Sequence, residues 1–144
     1  MPARDLPDVN VWLALTDPDH EHHARARAYW ENEAAHSLGF CRVTMLGLLR
    51  LITNRTVMRG NPFTPAQAWR AYQAYLALPE VKFLPEPLGA EAQMAAWSDA
   101  PNFPASRWTN AWLAACALCS RSRIVSFDTD FHAFPGIAFL HLTA

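Results

Sequence analysis

Lysine is almost missing from this 144-residue chain. Of its 12 basic residues only Lys82 is not an arginine, and 13 acids balance them to a net charge of −1. A nearly neutral chain is not a bulk polyanion binder, so any nucleic-acid contact has to come from a local patch. Glycine is scarce as well, and none of the 5 stands in a G-x-G-x-x-G or G-K-S/T setting. That excludes the phosphate-cradling loops of dinucleotide and nucleoside-triphosphate enzymes. The 3 cysteines, Cys41, Cys116 and Cys119, are an odd number. They argue against a disulfide framework and for a reducing compartment. Cys116 and Cys119 have zinc-like spacing but no second pair, and they lie in an apolar helical run, so they read as buried helix-face thiols. No stretch of about 18 apolar residues exists to span a membrane. The opening Met1-Pro2-Ala3-Arg4-Asp5 lacks the apolar region of an export signal, and a cytoplasmic protein with no membrane partner is expected.

What the chain does have is apolar mass. Half of it, 51%, is hydrophobic and only 17% is charged. That balance suits one domain over residues 1–144 with a sizeable core and some apolar surface covered by a partner. Short apolar segments alternate with helical ones. The stretch from Leu6 to Leu15 predicts a first strand ending near Asp8 or Asn10, and Asp17-Pro18-Asp19 a turn into a helix over Glu21 to Ala34. Ser37 to Cys41 reads as a strand. Thr44 is placed to cap a buried, nearly all-apolar helix from Met45 to Ile52. Thr64-Pro65 opens a helix that runs to about Leu78 and stops at Pro79. Val81 to Leu84 can form a strand, Leu88 to Asp99 a helix, and Trp108 to Ser120 an alanine-rich helix. Arg123 to Phe127 is a buried strand, and Ile137 to Leu142 is the last. Strands alternating with helices predict an α/β fold: a central, mostly parallel sheet with helices on both faces. Reactive groups then gather beyond the carboxyl ends of the strands.

Acids at two strand ends interrupt hydrophobic context there. Asp8 follows Leu6-Pro7, and Asp128 and Asp130 follow the Arg123–Phe127 strand. A carboxylate at the end of a buried strand is costly to desolvate without a positive neighbour. Magnesium is one such neighbour, because it needs only one or two protein carboxylates beside a phosphate. Each acid also has an ordinary alternative, as a helix cap or turn residue.

Taken in order, four segments resemble PIN-domain toxins of the VapC type: Leu6 to Ala14, Asp19 to Ala26, Phe40 to Arg50, and Trp108 to Ala115 with Ile124 to Phe131. The resemblance spans essentially the whole chain. It implies a small nuclease that cuts RNA with magnesium or manganese, forms a homodimer, and is silenced by a cognate antitoxin protein. By position, Asp8 matches the first-strand metal ligand, Asn110 the acid that opens the alanine-rich helix, and Asp128 the acid after the late strand, with Asp130 beside it. The implied metal ligands are therefore Asp8, Asn110 and Asp128, and the implied catalytic group adds Asp130. Asn10 and Ser126 match polar positions lining the site, and Arg50 is the first choice for a substrate contact, with an internal ion pair as its alternative.

The chain departs from the pattern twice. The helix after the second strand carries a glutamate in many relatives, where this chain has Gly47, with Met45 the nearest alternative. Asn110 stands where aspartate is usual and brings an amide oxygen but no charge. Weaker metal binding follows, and with it a second reading: a catalytically impaired PIN-fold protein that binds RNA or an antitoxin. A DNA or flap substrate is a third. His20, His22 and His23 cannot share one helical face and read as a solvated helix end, His132 and His141 as structural or surface. Arg42, Arg55, Arg59, Arg107, Arg121 and Arg123 join Arg50 as candidates for a phosphate patch. Trp12, Trp69 and Trp112 read as core or dimer interface.

Overall fold

The computed structural model describes residues 3–143. Met1, Pro2 and Ala144, the first two of which belong to the export-signal reading, lie outside that range. Five strands are present: β1 (Arg4–Pro7), β2 (Ser37–Phe40), β3 (Val81–Phe83), β4 (Arg123–Ser126) and β5 (Ala138–His141). They form one sheet in the order β3-β2-β1-β4-β5, and every pairing is parallel. Parallel neighbours need crossovers. Those up to β4 are supplied by α1 (Val9–Thr16), α2 (His23–Asn32), α3 (Arg42–Ile52), α4 (Pro65–Leu76), α5 (Ala90–Ser98) and α6 (Trp108–Cys119), and that from β4 to β5 by the short 3-10 segment Thr129–Ala133.

The strands are short, and the three inner ones, β1, β2 and β4, are buried along their last three residues, as a sheet covered on both faces requires. One face meets a core built around Trp12, Tyr29, Phe40, Leu48, Ile52 and Tyr72, from α1 to α4. The other face, through Leu6 and Ile124, meets a core of small side chains from α6 together with Phe131 and Phe134. Trp12 is stacked on Phe40 with ring centroids 3.9 Å apart, a core position, while Trp69 is 46% exposed.

Three expectations are corrected. Val9–Thr16 is a helix packed into the core, where the sequence reading ends a strand near Asp8 or Asn10 and assigns no helix to the residues that follow. The N-cap of α3 is Cys41, one turn earlier than expected. Thr44 serves from inside the helix, its Oγ1 accepting the Cys41 N–H at 3.0 Å. That helix is also not buried all round, since Leu46 is 54% exposed.

A buried ion pair joins the two central strands at their amino ends. Asp5 is fully buried. It accepts from Arg123 Nε at 2.8 Å and Arg123 Nη2 at 3.0 Å, from the Tyr29 hydroxyl at 2.6 Å and from the Ala35 N–H at 3.0 Å. Burial works against the charge of Arg123, but the hydrogen bonds and charge of Asp5 outweigh it and leave its pKa raised. Asp5 and Arg123 are register partners. Three residues further along the same strands come Asp8 and Ser126.

Candidate active site

The sheet order changes direction at β1: β2 lies on one side and β4 on the other. At such a switch point the carboxyl ends of two strands part and leave a crevice. Asp8 sits there, its backbone N–H donating to the Val125 carbonyl at 2.8 Å. Its Oδ1 accepts from the Val9 N–H at 2.7 Å, which makes it the N-cap of α1. Asp128 likewise caps the short 3-10 turn Thr129–Ala133, its Oδ1 accepting from the Asp130 N–H at 2.9 Å. Both acids are caps, the ordinary role the sequence left open, and both also face one centre.

Ser126 ties that centre together. Its hydroxyl donates to Asp8 Oδ2 at 2.8 Å and accepts from the Asp128 N–H at 2.9 Å and from Asn10 Nδ2 at 3.1 Å. Asn10 Oδ1 in turn accepts from the Phe127 N–H at 3.3 Å. Asn110, in the first turn of α6, donates through Nδ2 to Asp128 Oδ2 at 3.3 Å. Five of the residues singled out from sequence therefore converge: Asp8, Asn10, Asn110, Ser126 and Asp128. Asp130 does not join them through its side chain. It is exposed and linked only by its backbone N–H.

The carboxyl of Asp8 is pushed above its ordinary range, first by burial and further by the charge of Asp128, against the pull of its bonds from Ser126 and Val9. No cationic side chain relieves this: the salt bridges among the described residues all lie elsewhere. Nor do three of His, Cys, Asp or Glu gather as a metal cage among the described residues. A cation here would meet two carboxylates, an amide and a hydroxyl. That donor set suits a hard divalent ion that keeps most of its water.

Beside Asp8 opens a cleft of about 570 Å³ between α1 and α3, walled by Val9, Leu13, Val43, Leu46 and Leu51, with Arg50 and Thr109 also lining it. Gly47 lines it too, whereas Met45, the alternative position for the missing acid, is buried in the core. A Cβ at Gly47 would fall 2.5 Å from Val9 Cγ2, so α1 and α3 approach too closely there for any side chain without a shift. The cleft walls were not anticipated. The only hint was glycine in an otherwise apolar helix, which signals a close approach.

The other candidates separate clearly. Arg123 is consumed by Asp5, and Arg59 donates to both carboxylate oxygens of Asp17 at 3.0 Å. Arg42 lies 4.4 Å over the Phe83 ring. Arg50 is exposed and makes no salt bridge among the described residues. The histidines are not a solvated helix end: His22 stacks on Phe127 at 4.5 Å, and His23 Nδ1 lies 2.6 Å from the Ala14 carbonyl oxygen. Packing against Phe127 holds His22, and the Ala14 carbonyl of α1 holds His23, in half-buried positions.

Known proteins resemble this chain in sequence and in fold. The family model for the PIN domain matches residues 6–137. Ribonuclease VapC41 of Mycobacterium tuberculosis is 39% identical over 137 residues, covering 92% of this chain and 94% of the relative. The crystal structure of Mycobacterium tuberculosis VapC20, a Sarcin-Ricin loop cleaving toxin, has a TM-score of 0.70 over 94% of this chain and 98% of its own, at 18% identity. VapBC2 from Rickettsia felis, bound to a DNA fragment from their promoter, gives a TM-score of 0.66 over 97% and 99% of the two chains at 7% identity. The two structures speak for the fold alone, but identity at the level of VapC41 over nearly the full length carries more: the chain belongs to the PIN-domain family, among its VapC-type ribonuclease toxins.

Proposed function

We propose that this chain is the toxin of a type II toxin–antitoxin pair and acts as a metal-dependent endoribonuclease that hydrolyses RNA phosphodiesters. The observation that carries this reading is the Asp8–Ser126–Asp128 link at the sheet's switch point, two neighbouring carboxylates that no salt bridge among the described residues engages. Asp8 and Asp128 hold the ion, magnesium or manganese, and Asn110 adds a neutral amide. When bound, such an ion supplies an activated water and stabilises charge on the leaving oxygen. Ser126 holds Asp8 in place and fixes the backbone that presents Asp128. Asn10 fixes Ser126 and Phe127. Arg50, exposed at the cleft, meets a phosphate of the substrate. Asp130 stands at the edge, within reach of solvent, as a further acid for substrate or water.

The partners follow from the same reading: RNA, a cognate antitoxin and a second copy of the chain, in the cytoplasm. Membership of the VapC-type family supports the antitoxin. The exposed Trp69, Leu88 and Trp108 offer apolar surface for partner chains.

Asn110 favours a second reading of reduced catalysis, since its amide N–H₂ already occupies an Asp128 oxygen. The test is RNA cleavage by the wild type, Asp128→Ala and Asn110→Asp. Loss of at least about 100-fold in Asp128→Ala is expected, the upper end of what even a supporting group costs at a metal site, with a gain in Asn110→Asp. Equal cleavage by all three would refute the site.

A further inference from the structure

We propose that the cleft beside Asp8 is a base-binding subsite, which takes one unstacked nucleobase of the RNA next to the phosphate being cut, and that glycine at position 47 leaves its wall apolar. This rests on the ribonuclease reading above and adds what the site selects. The cleft, about 570 Å³, is the size of ordinary small-ligand sites, which pair apolar walls with a few placed polar groups.

Its composition matches a base rather than a second metal centre. The position where a glutamate was expected is Gly47, so the wall facing Asp8 is apolar: Val9, Leu13, Val43, Leu46 and Leu51. The close approach of Gly47 to Val9 closes the floor. A phosphate has no partners in that half of the cleft, whereas a flat heterocycle does. Polar groups stand apart from it. Thr109 is exposed, and Arg50 is exposed and unpaired among the described residues. Arginine suits this place because its planar guanidinium stacks on a base and its fork meets phosphate. Single-stranded RNA is read in this manner, by splaying bases out onto planar side chains while the backbone is held separately. The cleft also runs directly into Asp8, so a base lodged in it belongs to a nucleotide adjoining the phosphate at the acid pair. The cleavage preference of this chain is therefore set by the base at that one position.

The test uses the four ribonucleosides and their 5′-monophosphates as probes, titrated into the isotopically labelled full chain with the backbone amides of Leu46, Gly47 and Arg50 observed by NMR. One or two of the bases shift those amides and saturate. Leu46→Glu and Arg50→Glu, both at exposed positions and so compatible with folding, weaken that binding about tenfold, within what one stacked base is worth. Leu46→Glu also relaxes the base preference beside the cut in RNA oligonucleotides. If no ribonucleoside or monophosphate moves these amides, or if Leu46→Glu cuts with unchanged preference, the subsite is wrong while the nuclease stands. Nucleoside binding without RNA cleavage by either the wild type or Asn110→Asp leaves the subsite supported and overturns the ribonuclease reading instead. A cleft that ignores nucleosides and takes an apolar peptide overturns the proposal.

Discussion

Replacing Asp5 with asparagine should cost this protein about 3–5 kcal/mol, the usual cost of removing one partner from a buried ion pair. Asp5 is inaccessible to solvent, and four donors converge on its two oxygens: Arg123 Nε and Nη2, the Tyr29 hydroxyl and the Ala35 N–H. Asparagine keeps the shape but offers one acceptor oxygen, and it turns an N–H₂ group toward donors. The Arg123 side chain is only 14% exposed and would keep its charge with no carboxylate beside it, held by neutral acceptors such as the Glu33 carbonyl at 3.0 Å. Tyr29 cannot relieve the loss by ionising, because burial and its setting beside Asp5 raise its pKa. At roughly 3 °C per kcal/mol for a domain of this size, Tm falls by about 10–15 °C. Urea unfolding followed by tryptophan fluorescence measures the loss, with an unchanged slope marking a true stability effect. The companion Asp5→Leu/Arg123→Met should recover part of it, because no buried charge is left unpaired. A loss under about 1 kcal/mol for Asp5→Asn, or a double variant worse than the single one, would refute the reasoning that this pair is costly to break. The same pair sets the register that places Asp8 against Ser126, so Asp5→Asn should weaken metal binding as well.

Three further outcomes follow. Asp8→Asn should stabilise the metal-free protein at neutral pH by about 0.5–2 kcal/mol, as relief of a strained functional site commonly does. The sign follows from the raised Asp8 carboxyl pKa: the native state is penalised above that pKa, and the gain fades as pH falls through it and vanishes below the unfolded-state value. Urea melts at neutral and acid pH check this, and a gain that persists in acid contradicts it. Saturating magnesium should reverse the order of stability, adding about 2.7 kcal/mol to the wild type at a hundred times Kd and nothing to the variant. Cys116, buried with its thiol pushed up to about 12, first by burial, should resist alkylation in the native protein and react on unfolding. Mass spectrometry after iodoacetamide reads this, and rapid native labelling would contradict it.

The parallel sheet was legible because its strands carry apolar runs that only two-sided burial accommodates, Arg123–Phe127 above all. The meeting of Asp8, Asn110 and Asp128 was legible in part, because strand-end acids in an α/β order point to one edge. Their bonding through Ser126 was not, since it joins residues 118 positions apart. Helix α1 escaped because Val9 to Leu15 is apolar without a clear period, and a short run of that kind reads equally as strand or helix. The Asp5–Arg123 pair escaped because nothing local marks either residue as buried: Arg123 reads as a strand-edge cation until β1 is placed beside β4. Leu46 was expected inside because composition cannot say which side of an apolar helix the core leaves open.

The central claim is that Asp8 and Asp128 hold a divalent ion. Calorimetric titration of magnesium and manganese into the wild type and Asp8→Ala tests it most directly. Saturable binding in the wild type that vanishes in Asp8→Ala is the predicted result. No binding at millimolar metal, or binding that Asp8→Ala leaves untouched, would contradict it.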